Sequence, residues 1–250
     1  MGQITYKFEK KLQEALIKKR KNRFIFEIEK EGSIFEAHCP CTGSIGGIVF
    51  ENIPCLISES DNEERKTRYT VEAISLESLE TSNKHWIGIN QSKANAIVEH
   101  FIKTNQLSNM VSNGHNVKRE RKLGNSRIDF KCENTYIENK TSLQTLQLDM
   151  PKDIVIKRPA KFNSYDRFLK HINEISDSLE KGYNAVLLSL FIYDAKRFIP
   201  PSDSDISKFI AKEVAKCAKK GVKFWQVNLE MTPFEIKLIS YFDITDDFIF

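Results

Sequence analysis

Several protein classes are excluded by what this sequence lacks. No stretch approaches the roughly 18 consecutive apolar residues of a membrane span, so no membrane partner is expected. No signal-peptide-like run opens the chain, because Lys7, Lys10 and Lys11 interrupt it early. Cysteine is sparse and odd in number: Cys39, Cys41, Cys55, Cys132 and Cys217. A chain of 250 residues has ample length for a core without covalent staples. Free thiols and a reducing, cytoplasmic setting are therefore expected. Cys39 and Cys41 are too close for a CxxC zinc knuckle, and no second pair follows. Internal repeats, low-complexity tracts, helix-turn-helix patterns and zinc fingers are all missing. Base-specific readout is accordingly not expected.

What is present is a globular composition, long enough for one large domain or two small ones. Net charge is +4 and the sequence pI about 8.6, but the distribution says more than the sum. Met1–Phe24 holds eight Lys/Arg against two acids, and Val117–Lys131 holds six against two. Asn228–Phe250 reverses this, with five acids and one lysine. Clustered base points to a polyanion partner, with a solvated face as the plainer alternative.

Hydropathy patterning divides the chain. Phe24, Phe26 and Ile28 alternate with polar residues, Glu31-Gly32 turns the chain, and Ser33–His38 returns. A Pro/Gly loop follows, then short strands at Ile53–Ser58 and Tyr69–Leu76, a pattern that reads as a small barrel. The polar Glu77–Lys84 reads as a linker. Beyond it, Ser92–Lys103 is amphipathic through Ala94, Ile97, Val98, Phe101 and Ile102. A second helix is expected from a Ser164 cap to Gly182, with Phe168, Leu169, Ile172, Ile175 and Leu179 inward. Ala185–Tyr193 is a buried strand. Asp205 is expected to cap a third helix with Phe209, Ile210, Val214 and Cys217 inside, stopping at Gly221, and Val222–Met231 is another strand. These elements predict a mixed sheet with helices on its faces. The reading is an α/β domain at residues 83–250 behind an all-β barrel at residues 1–82.

The chemistry concentrates in Asn125–Ser142. Arg127–Lys131 and Thr135–Thr141 read as a hairpin around Cys132–Asn134. Asp129 lies on the first strand, and Glu138 and Lys140 share one face of the second. Two carboxylates can hold a hard divalent cation, Mg2+ or Mn2+, while the ammonium orients water or stabilises a developing anion. That is the constellation of the PD-(D/E)xK nucleases. A solvated strand face would carry the same residue types.

Separated motifs strengthen the nuclease reading. Leu16–Phe24, His38-Cys39-Pro40-Cys41-Thr42-Gly43-Ser44, Arg65–Thr70, Gly88-Ile89-Asn90, Ala94-Asn95 and Gly124–Asp129 occur in the order found in the sugar fermentation stimulation protein A family. Tyr136-Ile137-Glu138-Asn139-Lys140 and the Arg167, Lys170, His171, Glu174 pattern follow. The chain resembles that family from about Leu16 to Val227. The resemblance implies an N-terminal OB-fold barrel and a PD-(D/E)xK nuclease-like domain, in a family whose bacterial members are described as binding DNA. It assigns Asp129, Glu138 and Lys140 to the catalytic site. Three departures stand out: Cys41 for an asparagine, Asn139 for an apolar residue, and Met150–Ile154 for a Phe-Pro-Asp-Ala segment, followed by an apparent insertion around Arg158–Ser164.

With that fold in view, Glu120 is the nearest acid that a preceding helix could add to the metal ligands Asp129 and Glu138, or it pairs with a basic neighbour. Lys170 and His171 diverge by roughly 100° on a helix, so at most one can face the site. Candidate nucleic-acid contacts are Arg20, Arg23, His38, Arg65, Lys66, Arg68 and Arg127, with Phe24 and Tyr69 as a stacking platform or as core.

Overall fold

The structure, a computed structural model, describes residues 4–157, 165–201 and 204–249. Ser164 and the insertion around Arg158–Ser164 lie outside the described residues. The chain opens with a short strand β1 (Tyr6–Lys7), then builds a barrel from β2 (Gln13–Asn22), β3 (Ile25–Lys30), β4 (Ser33–His38), β5 (Ile53–Glu59) and β6 (Tyr69–Ile74). Antiparallel pairs join β2 to β3 and β5, β3 to β4, and β5 to β6. Parallel pairing of β4 with β6 through Ala37↔Tyr69 and His38↔Thr70 closes the ring of five strands, an OB-like barrel.

Alternation explains the barrel core. Phe26 and Ile28 on β3, Ile17 on β2, Ala37 on β4, Ile57 on β5 and Val71 on β6 point inward and are buried. The β3–β4 turn sets Glu31 and Gly32 at φ +51° and +76°, the left-handed pair that a tight hairpin of matching twist requires. At the β2–β3 turn, Asn22 Oδ1 accepts from the backbone N–H of Phe24 and Ile25.

The barrel sheet extends past the expected linker. The strand β7 (Ile87–Gly88) pairs with β6, so Glu77–Lys84 connects two strands of one sheet. Conversely, β1 belongs to the other sheet, where it pairs with the strand at Glu235–Asp243.

That second sheet is seven-stranded. After α1 (Ala94–Lys103) come β8 (Lys118–Leu123), β9 (Ser126–Cys132), β10 (Thr135–Lys140), α2 (Asp166–Ser178), β11 (Asn184–Phe191), α3 (Asp205–Lys220), β12 (Lys223–Met231) and β13 (Glu235–Asp243). Its order is β1-β13-β12-β11-β10-β9-β8. The central pairs β10–β11 and β11–β12 are parallel and the others antiparallel. Side chains alternate between two cores. Ile137, Leu188, Leu190, Val227 and Leu229 pack with α1 on one face. Tyr136, Leu187 and Phe224 pack with α2 and α3 on the other. Leu12, Leu56 and Ala73 join the α1 core and attach the barrel to that face.

Two details of α3 differ from the sequence reading. Its cap is Ser204, whose extended backbone aims Oγ at the Ser207 N–H, so Asp205 is the first helical residue. Phe209 is exposed, meeting the Tyr165 ring edge-on. Gly221 stops the helix at φ +114°, a conformation a side chain resists. All five cysteines are free and buried. Among the described residues, no helix is long and apolar enough to cross a membrane.

Candidate active site

The hairpin β9–β10 forms as its residues dictate, and its ladder ends where the acids begin. Backbone pairing runs Thr135↔Cys132, Tyr136↔Lys131, Ile137↔Phe130 and stops. The next pair outward is Asp129 opposite Glu138. There side chains replace the ladder: the Asn139 N–H donates to Asp129 Oδ2 at 2.8 Å, and the Asp129 N–H reaches Glu138 Oε2 at 3.4 Å. The two carboxylates are thereby fixed where the two strands part.

Both helical layers complete the arrangement. From α1, Asn95 Nδ2 donates to Asp129 Oδ1 at 2.8 Å, and its Oδ1 accepts from Asn139 Nδ2 at 2.9 Å. From α2, the buried His171 places Nδ1 2.5 Å from Glu138 Oε1. Opposite a carboxylate, that nitrogen carries the proton and donates. Lys140 Nζ donates to the same oxygen at 2.6 Å. Glu138 is 2% exposed, whereas Lys140 keeps a third of its side chain in solvent.

Burial raises the Asp129 carboxyl above the ordinary carboxylate range, and the facing Glu138 charge raises it further. The Asn139 N–H, the Asn95 amide and Lys140 oppose this only in part. One further oxygen is unsatisfied: Asn139 Oδ1 is buried with no hydrogen-bond partner.

The structure brings Asp129, Glu138 and Lys140 together, and Glu120 lies on the adjacent strand, opposite Asp129 in register. Lys118–Leu123 is an edge strand, not a helix, so Glu120 has no helical approach to the pair. Its exposed carboxylate lies 3.9 Å from Arg127 Nε. Among the described residues no cluster of three or more His, Cys, Asp or Glu is arranged to hold a metal. The oxygens that could hold one are those of Asp129 and Glu138.

The barrel candidates lie around the β3–β4 and β4–β6 pairings, and several are already engaged. Arg20 donates to the carbonyls of Gly43, Arg23 and Cys41, and its guanidinium packs over Phe26. Arg68 pairs with Glu59, and Arg65 donates to Thr70 Oγ1. His38 is half-buried at the barrel seam. Lys66 is exposed. Arg23 lies over the ring of Phe24, which is exposed and not core, while Tyr69 is buried.

The sequence reading left His171 undecided and gave Asn95 no role. His171 lies three residues after Phe168 and four before Ile175, on the apolar stripe of α2, which is the signal that buries it. Asn95, a half-buried polar residue on α1, is marked in the sequence only by the Ala94-Asn95 motif of the family resemblance, which gives it no role.

Comparison with known proteins agrees with this architecture. The model of the SfsA N-terminal OB domain matches residues 19–89, and that of the sugar fermentation stimulation protein RE domain matches residues 92–235. A sugar fermentation stimulation protein homolog of Shewanella sp. (strain W3-18-1) is 31% identical over 242 residues, covering 92% of this chain and 96% of that protein. The homolog of Crocosphaera subtropica is 28% identical over 234 residues, covering 92% and 93%. The structure of Pyrococcus furiosus SfsA in complex with Ca2+ superposes with a TM-score of 0.72 at 18% identity, covering 96% of this chain and 98% of that one. With the OB-like barrel, the mixed sheet and both family models in place along its length, this chain belongs to the sugar fermentation stimulation protein (SfsA) family.

Proposed function

We propose that this protein binds nucleic acid, DNA foremost, and carries a divalent-metal-dependent phosphodiesterase site of the PD-(D/E)xK type. The observation that carries the reading is the fixed opposition of Asp129 and Glu138 at the end of the β9–β10 ladder, with Lys140 on Glu138. Their oxygens are the hard donors that Mg2+ or Mn2+ prefers, and the Asp129 carboxyl is raised by burial and, second, by the facing Glu138 charge, a repulsion that a cation relieves. The Pyrococcus furiosus SfsA structure is a complex with Ca2+, another hard cation.

Asp129 and Glu138 would hold the cation. When bound, it would lower the pKa of a coordinated water and stabilise charge on the phosphate. The protein's own groups have separable tasks. Asn95 and the Asn139 N–H fix both oxygens of Asp129. His171, buried behind Glu138, orients that carboxylate and does not reach substrate. Lys140 has three donors and spends one on Glu138, leaving two for a phosphate oxygen or the attacking water. The five free thiols fit a reducing compartment, the cytoplasm.

The test is cleavage of labelled single- and double-stranded DNA and RNA with Mg2+ or Mn2+, comparing wild type with Lys140→Ala. Metal-dependent cutting that is lost in the variant supports the reading. A second reading, a DNA-binding protein without turnover, is favoured by the absence of a third clustered metal ligand among the described residues. Metal binding with no cutting of any substrate would establish it in place of the first.

A further inference from the structure

The strand β8 is the outermost of its sheet and reads Lys-Arg-Glu-Arg-Lys-Leu, with its first five residues exposed. The side chains of Lys118, Arg121 and Lys122 make no hydrogen bond, ion pair or ring contact among the described residues. Arg119 has only a 3.8 Å approach to Glu99, which is also engaged by Lys103 at 2.7 Å. As an edge strand, β8 also presents outward backbone N–H groups that no neighbouring strand uses.

The position of this strand is fixed relative to the acid pair. The register Arg119↔Phe130 and Arg121↔Ile128 brackets Asp129, so the basic strand lies one strand spacing, about 4.8 Å, from the Asp129 backbone. The helix that supplies His171 to Glu138 also grips the β8–β9 turn. Glu174 Oε1 accepts from the Asn125 N–H at 3.1 Å, and Lys170 Nζ donates to the Asn125 carbonyl at 3.1 Å. Gly124 sits at φ +56° with Glu174 against it, where an added Cβ would meet Oε1 at 3.3 Å. One helix thus registers both the basic edge and the acid pair. The strand's single acid, Glu120, is held at φ +52°, which non-glycine residues seldom adopt, with its carboxylate toward Arg127.

We propose that the β8 edge, not the barrel, is the principal track for the phosphate backbone of a nucleic-acid strand passing the Asp129–Glu138 site. This rests on the nucleic-acid reading of the function and names the surface that serves it. Charge complementarity selects the occupant. Lys118 and Lys122 share one face of the extended strand, roughly 13 Å apart, with Arg121 between them on the other face, a spread of uncommitted cations that suits an extended polyanion better than a point anion. The barrel's basic strand is less suited, because Lys18, Lys19 and Lys21 of β2 are already ion-paired with Glu29, Glu27 and Glu36.

The experiment is fluorescence anisotropy of labelled single- and double-stranded DNA and RNA with the full chain in chelator, over a salt series. Lys118→Gln/Arg121→Gln/Lys122→Gln is compared with Lys18→Gln/Lys19→Gln/Lys21→Gln, which removes the same charge from the barrel. Circular dichroism melts confirm that both fold. The expected result is at least tenfold weaker binding for the edge variant, with a salt slope shallower by about 2 to 3, at roughly 0.7–0.9 per lost phosphate contact. The barrel variant should lose less than threefold, and Glu120→Gln should bind two- to threefold more tightly. Equal losses in both triple variants, or a larger loss in the barrel, would overturn the assignment while leaving the function reading intact. Displacement of the labelled strand by polyglutamate of matched length would overturn it too, by showing a surface for acidic protein. If wild type binds no DNA or RNA at low salt, the nucleic-acid reading and the track fall together.

Discussion

In β2 of the barrel, Lys18 and Lys19 pair with glutamates of the neighbouring β3, Lys21 reaches Glu36 of β4 one strand further, and Arg20 folds onto three backbone carbonyls. In β8 of the second sheet, Lys118, Arg121 and Lys122 face solvent with no partner among the described residues. The two stretches look alike as sequence, four or more cations within a few residues. They differ in what lies across the sheet. β3 and β4 supply Glu27, Glu29 and Glu36 to β2, whereas β8 has a neighbour on one side only. A basic cluster in a barrel interior strand is largely neutralised by its ladder partners. The same cluster at an edge remains available to a ligand.

The largest effects should separate the two regions by function. Lys140→Ala should lower metal-dependent cleavage by roughly 10²–10³-fold, the scale of losing one preorganised electrostatic group. Mn2+ affinity should stay within about threefold of wild type, since Lys140 is not an oxygen donor. Lys21→Ala in the barrel should leave cleavage unchanged. Equal losses in both variants would erase the contrast.

Stability should separate them in the opposite sense. Arg20→Ala removes a buried-side guanidinium from three carbonyls, and at about 1.5–3 kcal/mol for a charge-assisted hydrogen bond the urea midpoint should fall clearly. Arg121→Ala, with no partner to lose, should stay within about 0.5 kcal/mol. An unchanged midpoint for Arg20→Ala would mean that its carbonyl contacts are replaceable by water.

A smaller effect concerns pH in the absence of metal. The Asp129 carboxyl is raised by burial and by Glu138, so its protonated form is favoured in the folded state. Its contribution to stability is fully present below the unfolded carboxylate range and is lost as pH rises through the folded value. Asp129→Asn should therefore melt above wild type at pH 7 in chelator, with the difference shrinking on acidification through that range. A variant that melts lower at pH 7 would show that the carboxylate is not strained. The smallest change belongs to Lys19→Gln, whose exposed pair with Glu27 is worth at most about 1 kcal/mol, read from a denaturant titration.

Much of this was legible in the sequence because it rests on short-range periodicity. The alternation of Phe26 and Ile28 and the turn at Glu31-Gly32 gave the barrel hairpin. The stripe Ala94, Ile97, Val98, Phe101, Ile102 gave α1, and the run Ala185–Tyr193 gave the central strand. Both strands of the site hairpin were readable, as was the shared face of Glu138 and Lys140. Strand β2 was not, since its Lys-Lys-Arg-Lys run carries little apolar alternation and owes its conformation to partners on both sides. Strand β8 was hidden for a related reason: an edge strand with no buried face until Leu123 has no period-two signal. Asn95 and His171 depend on long-range packing, since each meets its carboxylate across more than thirty residues of chain. Glu120 was expected on a preceding helix; it lies instead on strand β8, opposite Asp129 in register, with its carboxylate toward Arg127.

The central claim is that Asp129 and Glu138 together hold a divalent cation. Calorimetric titration of Mn2+ into wild type and Asp129→Asn at pH 7 tests it most directly. Saturable binding in wild type that weakens at least tenfold in the variant is the predicted result. Equal Mn2+ affinity in the two proteins would contradict it.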